Sequence, residues 1–480
     1  MDETAIQALP AHRTRIVATI GPASQEVSVL ERMIQAGMDV ARLNFSHGTP
    51  ENHATLIQSI RQASRNVGRP IAILADLPGP KIRIGEVEPS PLTLQAGQEF
   101  FLTTRPIQGN AAGVSVSLET LPQLVRPGDP VFLNDGEVEL RVERIEGDTV
   151  YCRVQVGGEI ASRKGLNLPG ADLDLQVFTP EDRQWLAFAA EHRVELVSMS
   201  FVGRAEDLHE VRAAAEQLGY VPFLIAKIER RMAVERLDEI LEAADGVMVA
   251  RGDLGVEVPL EEVPLIQKRI VQHALARSRP VITATQMLES MRTNRRPTRA
   301  EVTDVANAIW DGTDAVMLSA ESAAGRFPVE SIQTMARIAA AAEKRRPETR
   351  AFLLGPRVEP RKDVSLSDLI AWSVDAALER TECAAVIVPT ASGATARALS
   401  RFRLPVWIVA VTRDPLTAAA LRLSYGVIPV KVDQWPESWD SWARDWIRRH
   451  GLSGDLALLV QGPSPRHPTR NHSLEYLRLR

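Results

Sequence analysis

The chain is short of the features that would place it in several common classes. Only two cysteines occur in 480 residues, Cys152 and Cys383, far apart and in no metal-ligand spacing, which speaks for a reduced intracellular protein. No stretch of about 18 apolar residues is present, and the acidic start, Met1 to Pro10, lacks an apolar signal core, so a cytoplasmic, non-membrane protein is expected. The net charge of -5 argues against a nucleic-acid partner; if phosphates are bound, local placement of cations must hold them. No Gly-x-Gly-x-x-Gly fingerprint supports an open doubly wound sheet. What is present is ordinary for a globular chain: 45% apolar and 24% charged residues, with length enough for roughly three domains.

From Thr14 onward short apolar runs alternate with helical patterns. Strands are expected at residues 16–20, 38–43 and 71–74, with helices at about 27–35 and 51–66. The rhythm breaks at Pro78-Gly79-Pro80 and resumes at Thr179-Pro180-Glu181-Asp182, a helix-start signal. Five more strands follow, at 195–199, 221–226, 246–250, 280–283 and 315–318. Three before the break and five after it make eight βα units, the arithmetic of a (β/α)8 TIM barrel. The interruption has another texture: alternating apolar positions are punctuated by Pro127-Gly128-Asp129, Asn134-Asp135-Gly136 and Glu146-Gly147-Asp148, which are hairpin signals. The fold class is therefore α/β: a TIM barrel in two parts, residues 10–79 and 170–345, with an inserted small β-barrel lid domain at 80–169. A charged, Pro-containing linker leads into a C-terminal α/β domain, 346–480, with strands at 385–388, 406–411, 427–430 and 456–460. Trp435, Trp439, Trp442 and Trp446 fall on one helical face, read as packing rather than as an aromatic ligand site.

The stretch from Ala226 to Gly255 organises the rest. Lys227 and Glu229, two residues apart just past a strand, are expected to face the same side. The next strand leads to Gly252, where backbone can approach a ligand, and to Asp253. Two carboxylates suit a hard divalent cation, and an ammonium beside them suits a moving phosphoryl group. Taken alone, a surface ion pair and a Gly turn explain these residues as well. Other expected strand ends add to them. Arg42, Asn44 and Ser46 alternate onto one side, and Arg42 offers a bidentate phosphate grip. Asp76, Thr285, Ser319 and Glu321 follow the third, seventh and eighth strands. In a barrel such positions carry the chemistry.

At these residues the chain resembles the pyruvate kinase family. Residues 14–22 (Thr-Arg-Ile-Val-Ala-Thr-Ile-Gly-Pro), 40–48 (Val-Ala-Arg-Leu-Asn-Phe-Ser-His-Gly), 226–229, 249–255, 284–291 and 297–301 carry the likeness, which extends over the lid through 164–170 and thins over the last hundred residues. The resemblance implies phosphoryl transfer between phosphoenolpyruvate and ADP, giving pyruvate and ATP in glycolysis. It implies that Glu229 and Asp253 ligate Mg2+ or Mn2+ and that Lys227 stabilises the phosphoryl group in flight. Gly252, Asp253 and Thr285 would receive the substrate carboxylate and Arg42 the phosphate, while Asn44, His47, Arg83 and Lys164 would face the nucleotide. Thr285, or a water held by Ser319 and Glu321, is the candidate proton donor. A homotetramer and allosteric control are implied in the same way.

Two departures from the family pattern matter. Potassium-activated members carry Asp-Thr-Lys-Gly-Pro-Glu where this chain reads Asp76-Leu77-Pro78-Gly79-Pro80-Lys81. At the positions of the monovalent-ion ligands, Asn44, Ser46, Asp76 and Leu77, one hydroxyl is missing, and the Lys81 ammonium stands in for the ion, so activity without K+ is expected. The loop with Thr390, Ser392, Gly393 and Thr395 resembles a sugar-phosphate effector loop, yet positions 391 and 394 are alanine and the later loop reads Gly462-Pro463-Ser464-Pro465-Arg466-His467-Pro468. A monophosphate effector, sugar phosphate or nucleotide, or none, is expected rather than fructose 1,6-bisphosphate. An aldolase acting through Lys227 or through Glu229 and Asp253, and a non-catalytic metabolite sensor, are the rival readings.

Overall fold

Short strands that are apolar on both faces can bury both only by closing under a layer of helices. Eight such strands do so here, in a computed structural model that describes residues 9–134, 136–169, 176–345, 366–462 and 472–480. They are β1 (Arg15–Thr19), β2 (Val40–Asn44), β3 (Ala72–Leu77), β4 (Leu196–Met199), β5 (Phe223–Ile228), β6 (Gly246–Ala250), β7 (Val281–Ala284) and β8 (Ala315–Leu318). All neighbours are parallel, and β8 closes on β1 with Ala315 opposite Arg15. Inward-facing Val17, Leu196, Ile225, Met248, Ile282 and Met317 fill the interior. Ala420 and Leu423 of the C-terminal domain join that same cluster from below, so the barrel is a plugged core and chemistry is left to its upper rim.

The lower rim carries a repeated device. Carboxylates just before β2, β4, β6 and β8 accept a backbone N–H from the first or second residue of the preceding strand: Asp39 from Ile16, Glu195 from Ile73, Asp245 from Leu224 and Asp314 from Val281, at 2.9–3.1 Å. Each satisfies a donor that the barrel's stagger would leave buried and unpaired. Arginines answer this acidic ring. Arg403 of the C-terminal domain is held by Asp314, with Nη2 3.0 Å from Oδ2, and Arg15 lies 3.2 Å from Asp39.

The insertion leaves the barrel after β3 and is rich in sheet. A six-stranded sheet and the two-stranded ribbon of Leu92–Leu94 with Gly158–Ile160 share one apolar core. The Glu146-Gly147-Asp148 signal falls at the hairpin joining Val138–Glu146 to Thr149–Val156, where Gly147 takes φ +62°. Asp135 of the neighbouring turn lies outside the described residues, but the ideal Cβ position of Gly136 comes 3.5 Å from Val256 Cγ2. The tip of this domain therefore touches the segment that follows β6.

The C-terminal domain is a five-stranded sheet in the order Val427–Lys431, Trp407–Thr412, Cys383–Pro389, Leu456–Gln461, Ser473–Arg478. Four strands match expectation. The fifth, antiparallel and polar at its edge, does not appear in the sequence reading. Three of the four tryptophans lie on the helix Trp439–Arg449, with Trp435 just before it; Trp446 is buried and the others pack against one face of the sheet. Both cysteines are buried and free. The expected linker at 346–363 lies outside the described residues, as does most of the loop at 462–468. No described helix is long and apolar enough to cross a membrane.

Candidate active site

Several strands end later than their apolar runs suggest. β3 extends through Asp76 to Leu77 and β5 through Lys227 to Ile228. Lys227 is thus a residue of the strand and only Glu229 lies beyond it, a correction to the expectation that both follow the strand. The physical reason is mutual neutralisation, which lets charged side chains stay in regular, buried backbone.

Asp76 is the hub. Its Oδ1 accepts from Ser198 Oγ at 2.6 Å and its Oδ2 from Arg42 Nε at 3.0 Å, while Lys227 Nζ stands 3.4–3.5 Å away. Arg42 also donates to Thr19 Oγ1 at 2.8 Å. Burial alone would raise the Asp76 carboxyl, but Lys227, Arg42 and the Ser198 hydroxyl outweigh it and hold it at about 2. Lys227 feels the converse: burial lowers its pKa, and Asp76 with Glu229 more than restores it, so the ammonium is firmly protonated. Lys227 Nζ is 2.8 Å from Glu229 Oε1 and 2.7 Å from Ser200 Oγ, and Glu229 Oε2 accepts the backbone N–H of Phe201 at 2.7 Å.

β6 runs directly into the helix Arg251–Glu257, so Gly252 and Asp253 sit in its first turn, where backbone donors lack helical partners. Gly252 N–H is not open, however. It donates to Thr285 Oγ1 at 2.9 Å, and that hydroxyl donates in turn to Ala284 O at 2.7 Å. Thr285 and Gln286 both take positive φ, +64° and +53°, a costly conformation for such residues. Arg251 binds the carbonyls of Ala284 and Thr285 and pairs with Asp304 at 2.7 Å, tying the ends of β6 and β7 together.

Between this rim and the inserted domain lies a cavity of about 300 Å³ lined by His47, Lys81, Arg83 and Lys164, with Phe201, Arg230, Asp253 and Glu257 opposite. It is a cationic enclosure bordered by two acids. His47 is held by its surroundings in the neutral form's favour: desolvation, Lys81 and Arg83 all lower its pKa. Lys81 opens onto the cavity, yet its setting desolvates it, and Lys227 and Arg83 depress its pKa further against the pull of Asp76 and Asp253.

Not every expected residue is brought to this place. Asn44 is not among the residues lining the cavity; its Oδ1 accepts Ser46 N–H at 3.2 Å and shapes the turn. Leu77 is buried and contributes its carbonyl to Ser200. Glu321 is fully buried with Oε1 on Leu288 N–H and Oε2 on Ser319 N–H; burial raises its pKa while those backbone donors oppose the rise. It braces the loops after β7 and β8. In the C-terminal domain Gly393 takes φ +78°, and the hydroxyls of Thr390 and Ser392 accept the N–H groups of Gly393 and Ala394 at 2.9 and 3.5 Å. Thr395 lies in the seven-residue helix that follows.

Ser198, Ser200 and Arg230 went unnoticed in the sequence, and Arg251 stood out only as part of an Arg-Gly-Asp turn. The alternating hydroxyls of Leu-Val-Ser-Met-Ser were the available signal, since a polar residue at every second position of a fully buried strand needs partners.

Comparison with known proteins identifies the family and matches the fold. The family model for the pyruvate kinase barrel domain matches residues 11–332, and that for the pyruvate kinase alpha/beta domain matches 368–471. A pyruvate kinase of Thermococcus litoralis is 46% identical over 89% of this chain and 90% of its own length. One from Thermotoga maritima is 40% identical over 95% and 98%. The crystal structure of a pyruvate kinase from Cryptosporidium parvum superposes with a TM-score of 0.89 at 34% identity, covering 98% of this chain and 97% of that one.

Proposed function

The chain belongs to the pyruvate kinase family, a family of phosphotransferases, and from that premise we propose that it moves the phosphoryl group of phosphoenolpyruvate to ADP, giving ATP and enolpyruvate, which gains a proton at carbon to become pyruvate. The observation that carries this reading is the charge arrangement at the rim. Lys227, its pKa raised by Asp76 and Glu229, stands 2.8 Å from Glu229 beside the Arg42–Asp76 pair, and Glu229 holds the backbone N–H of Phe201, which lines the cationic cavity. Such a site positions and neutralises a phosphoryl group in flight and needs no covalent nucleophile.

Arg42, held in plane by Asp76 and Thr19, presents its remaining donors to the phosphate. The first turn of Arg251–Glu257 would receive the substrate carboxylate, with the Thr285 hydroxyl, which now occupies the Gly252 donor, giving way or sharing. His47, Arg83 and Lys164 would meet the nucleotide. Glu229 and Asp253 would hold Mg2+ or Mn2+. The described residues contain no group of three or more potential metal ligands, and a pair of carboxylates fits a hard dication that takes its other oxygens from substrate and water. The chemistry such an ion supplies is neutralisation of phosphate and enolate oxygens. Glu321 is committed to two backbone donors, so the proton for the enolate carbon would come from the Thr285 hydroxyl once substrate turns it away from the Ala284 carbonyl that now accepts it.

We further propose that the reaction runs without potassium. Asp76 is already neutralised by Arg42 and Lys227, and Lys81 lies close enough to Asp76 and Asp253 for both to act on its charge. Purified protein with phosphoenolpyruvate, ADP and Mg2+ is expected to form pyruvate, followed by coupled reduction to lactate; no pyruvate would end the proposal. In potassium-, sodium- and ammonium-free buffer the rate should change little when K+ is added, and Lys81→Glu should create a K+ requirement. Strong activation of the unmodified protein would contradict the second part. We also propose a cytoplasmic location, a homotetramer and, if an effector binds, a sugar phosphate or nucleotide.

A further inference from the structure

Ser200 and Phe201, which follow β4, have no part in the reaction proposed above, yet they touch three working parts at once. The Ser200 hydroxyl has one proton and donates it to Leu77 O at 2.7 Å; it accepts from Lys227 Nζ at 2.7 Å. Its direction is therefore fixed, because a hydroxyl that has given its only proton can act toward the ammonium solely as an acceptor. Leu77 is the last residue of β3, where the chain leaves the barrel for the inserted domain. Gly79, two residues on, takes φ +65°, and a Cβ there would come 2.9 Å from Phe201 Cδ2 and 3.2 Å from Ser200 Cβ. Its N–H is held by Asp182 Oδ1 at 3.0 Å, and the other oxygen of Asp182 caps the helix Pro180–Glu191, where the chain has returned to the barrel. Phe201 itself adopts φ +58°, a strained value for an aromatic residue, with its N–H on Glu229 Oε2 at 2.7 Å.

An ammonium has three N–H donors. Those of Lys227 have Ser200 Oγ at 2.7 Å, Glu229 Oε1 at 2.8 Å and, much more weakly, Asp76 at 3.4–3.5 Å. Two short contacts fix the rotation of the ammonium, so the third N–H, which has only the long contact to Asp76, is the donor left for an incoming phosphoryl oxygen. The geometry points to Ser200 as a positioning residue for phosphoryl transfer: oriented by the Leu77 carbonyl at the root of the inserted domain, it keeps the Lys227 ammonium from collapsing onto Asp76 and leaves one N–H for the substrate. This rests on the reading of the site proposed above.

The test compares two reactions of the full-length protein, pyruvate formation from phosphoenolpyruvate and ADP, and exchange of the methyl protons of pyruvate with solvent, which needs no phosphoryl transfer. Ser200→Ala should lower kcat for the first by roughly 10- to 100-fold, leave the KM for phosphoenolpyruvate within about 2-fold, and spare proton exchange. Ser200→Thr, which keeps the oxygen, should recover most of the loss. Should the alanine variant not fold, the near-isosteric Ser200→Cys, whose sulfur is a weak acceptor, carries the same expectation. An unchanged kcat, an equal fall in both reactions, or no recovery with threonine would each overturn the assignment. Because the unmodified protein is assayed alongside, its failure to make pyruvate would fall on the proposed function instead.

Discussion

At the scale of the residue, the site is built around Asp76, one carboxylate that two cations share. A pKa depressed from 3.8 to about 2 means the folded state binds this proton less readily than the unfolded chain. The stabilisation is complete above about pH 4 and disappears as pH falls toward 2, an effect on the order of 2 kcal/mol. Asp76→Asn leaves Arg42 and Lys227 buried beside each other without their common anion, so it is expected to destabilise by roughly 3–5 kcal/mol at neutral pH. Urea unfolding measures this, and the variant should lose less further stability than the parent between pH 4 and 2. Equal stability at pH 7 would show that Asp76 is not the hub. Much of this network was legible as residue types: Arg42, Asp76, Lys227, Glu229 and Asp253 are all charges at the ends of apolar runs. Ser198 and Ser200 were not, since a hydroxyl inside a strand pattern carries no sign of whom it binds, and the partners are Asp76 for Ser198 and Leu77 and Lys227 for Ser200, all distant in the chain.

At the scale of the element, strand ends decide where those charges sit. The sequence places the end of β5 at residue 226 because an ammonium breaks an apolar run; in the fold the strand continues to Ile228 because Asp76 on β3 and Glu229 neutralise that ammonium. The final strand, Ser473–Arg478, escaped for the opposite reason. It is an edge strand with one face open, and its polar composition resembles a tail. The connection to the inserted domain was readable from Pro78-Gly79-Pro80, but not the cause of its glycine. Gly79→Ala must meet Phe201 and Ser200 as well as adopt positive φ, whereas Gly68→Ala, at φ +70° with nothing within 4 Å of its Cβ, meets only the backbone strain. Gly68→Ala is expected to cost about 1–2 kcal/mol and Gly79→Ala more, with a loss of activity as well. Equal losses by denaturant titration would mean that the close packing of Gly79 on Ser200 and Phe201 does not matter.

At the scale of the whole molecule, the barrel's two rims divide the work. The upper rim gathers cations around a cavity roofed by the inserted domain. The lower rim is an acidic ring plugged by the C-terminal domain, with Arg403 on Asp314 and Arg422 nearby; burial lowers the Arg422 pKa to about 10 despite the opposing pull of Asp39. The eight-unit rhythm and the inserted sheet were evident from the spacing of strands and turns. The floor was not, because Asp39, Glu195, Asp245 and Asp314 look like ordinary turn residues until the barrel closes and the neighbouring strand presents its N–H. Arg403→Met should leave a buried carboxylate underpaired, cost roughly 3–5 kcal/mol and make the C-terminal domain more easily released by protease. A variant as stable and as protease-resistant as the parent would remove that pair from the account of how the domains are joined.

The central claim, that a buried ammonium quenches the charge of a migrating phosphoryl group, is tested most directly by Lys227→Met assayed in two reactions. Formation of ATP from phosphoenolpyruvate and ADP is expected to vanish while solvent exchange at the methyl group of pyruvate stays measurable. ATP formation at the parent rate would contradict the claim outright.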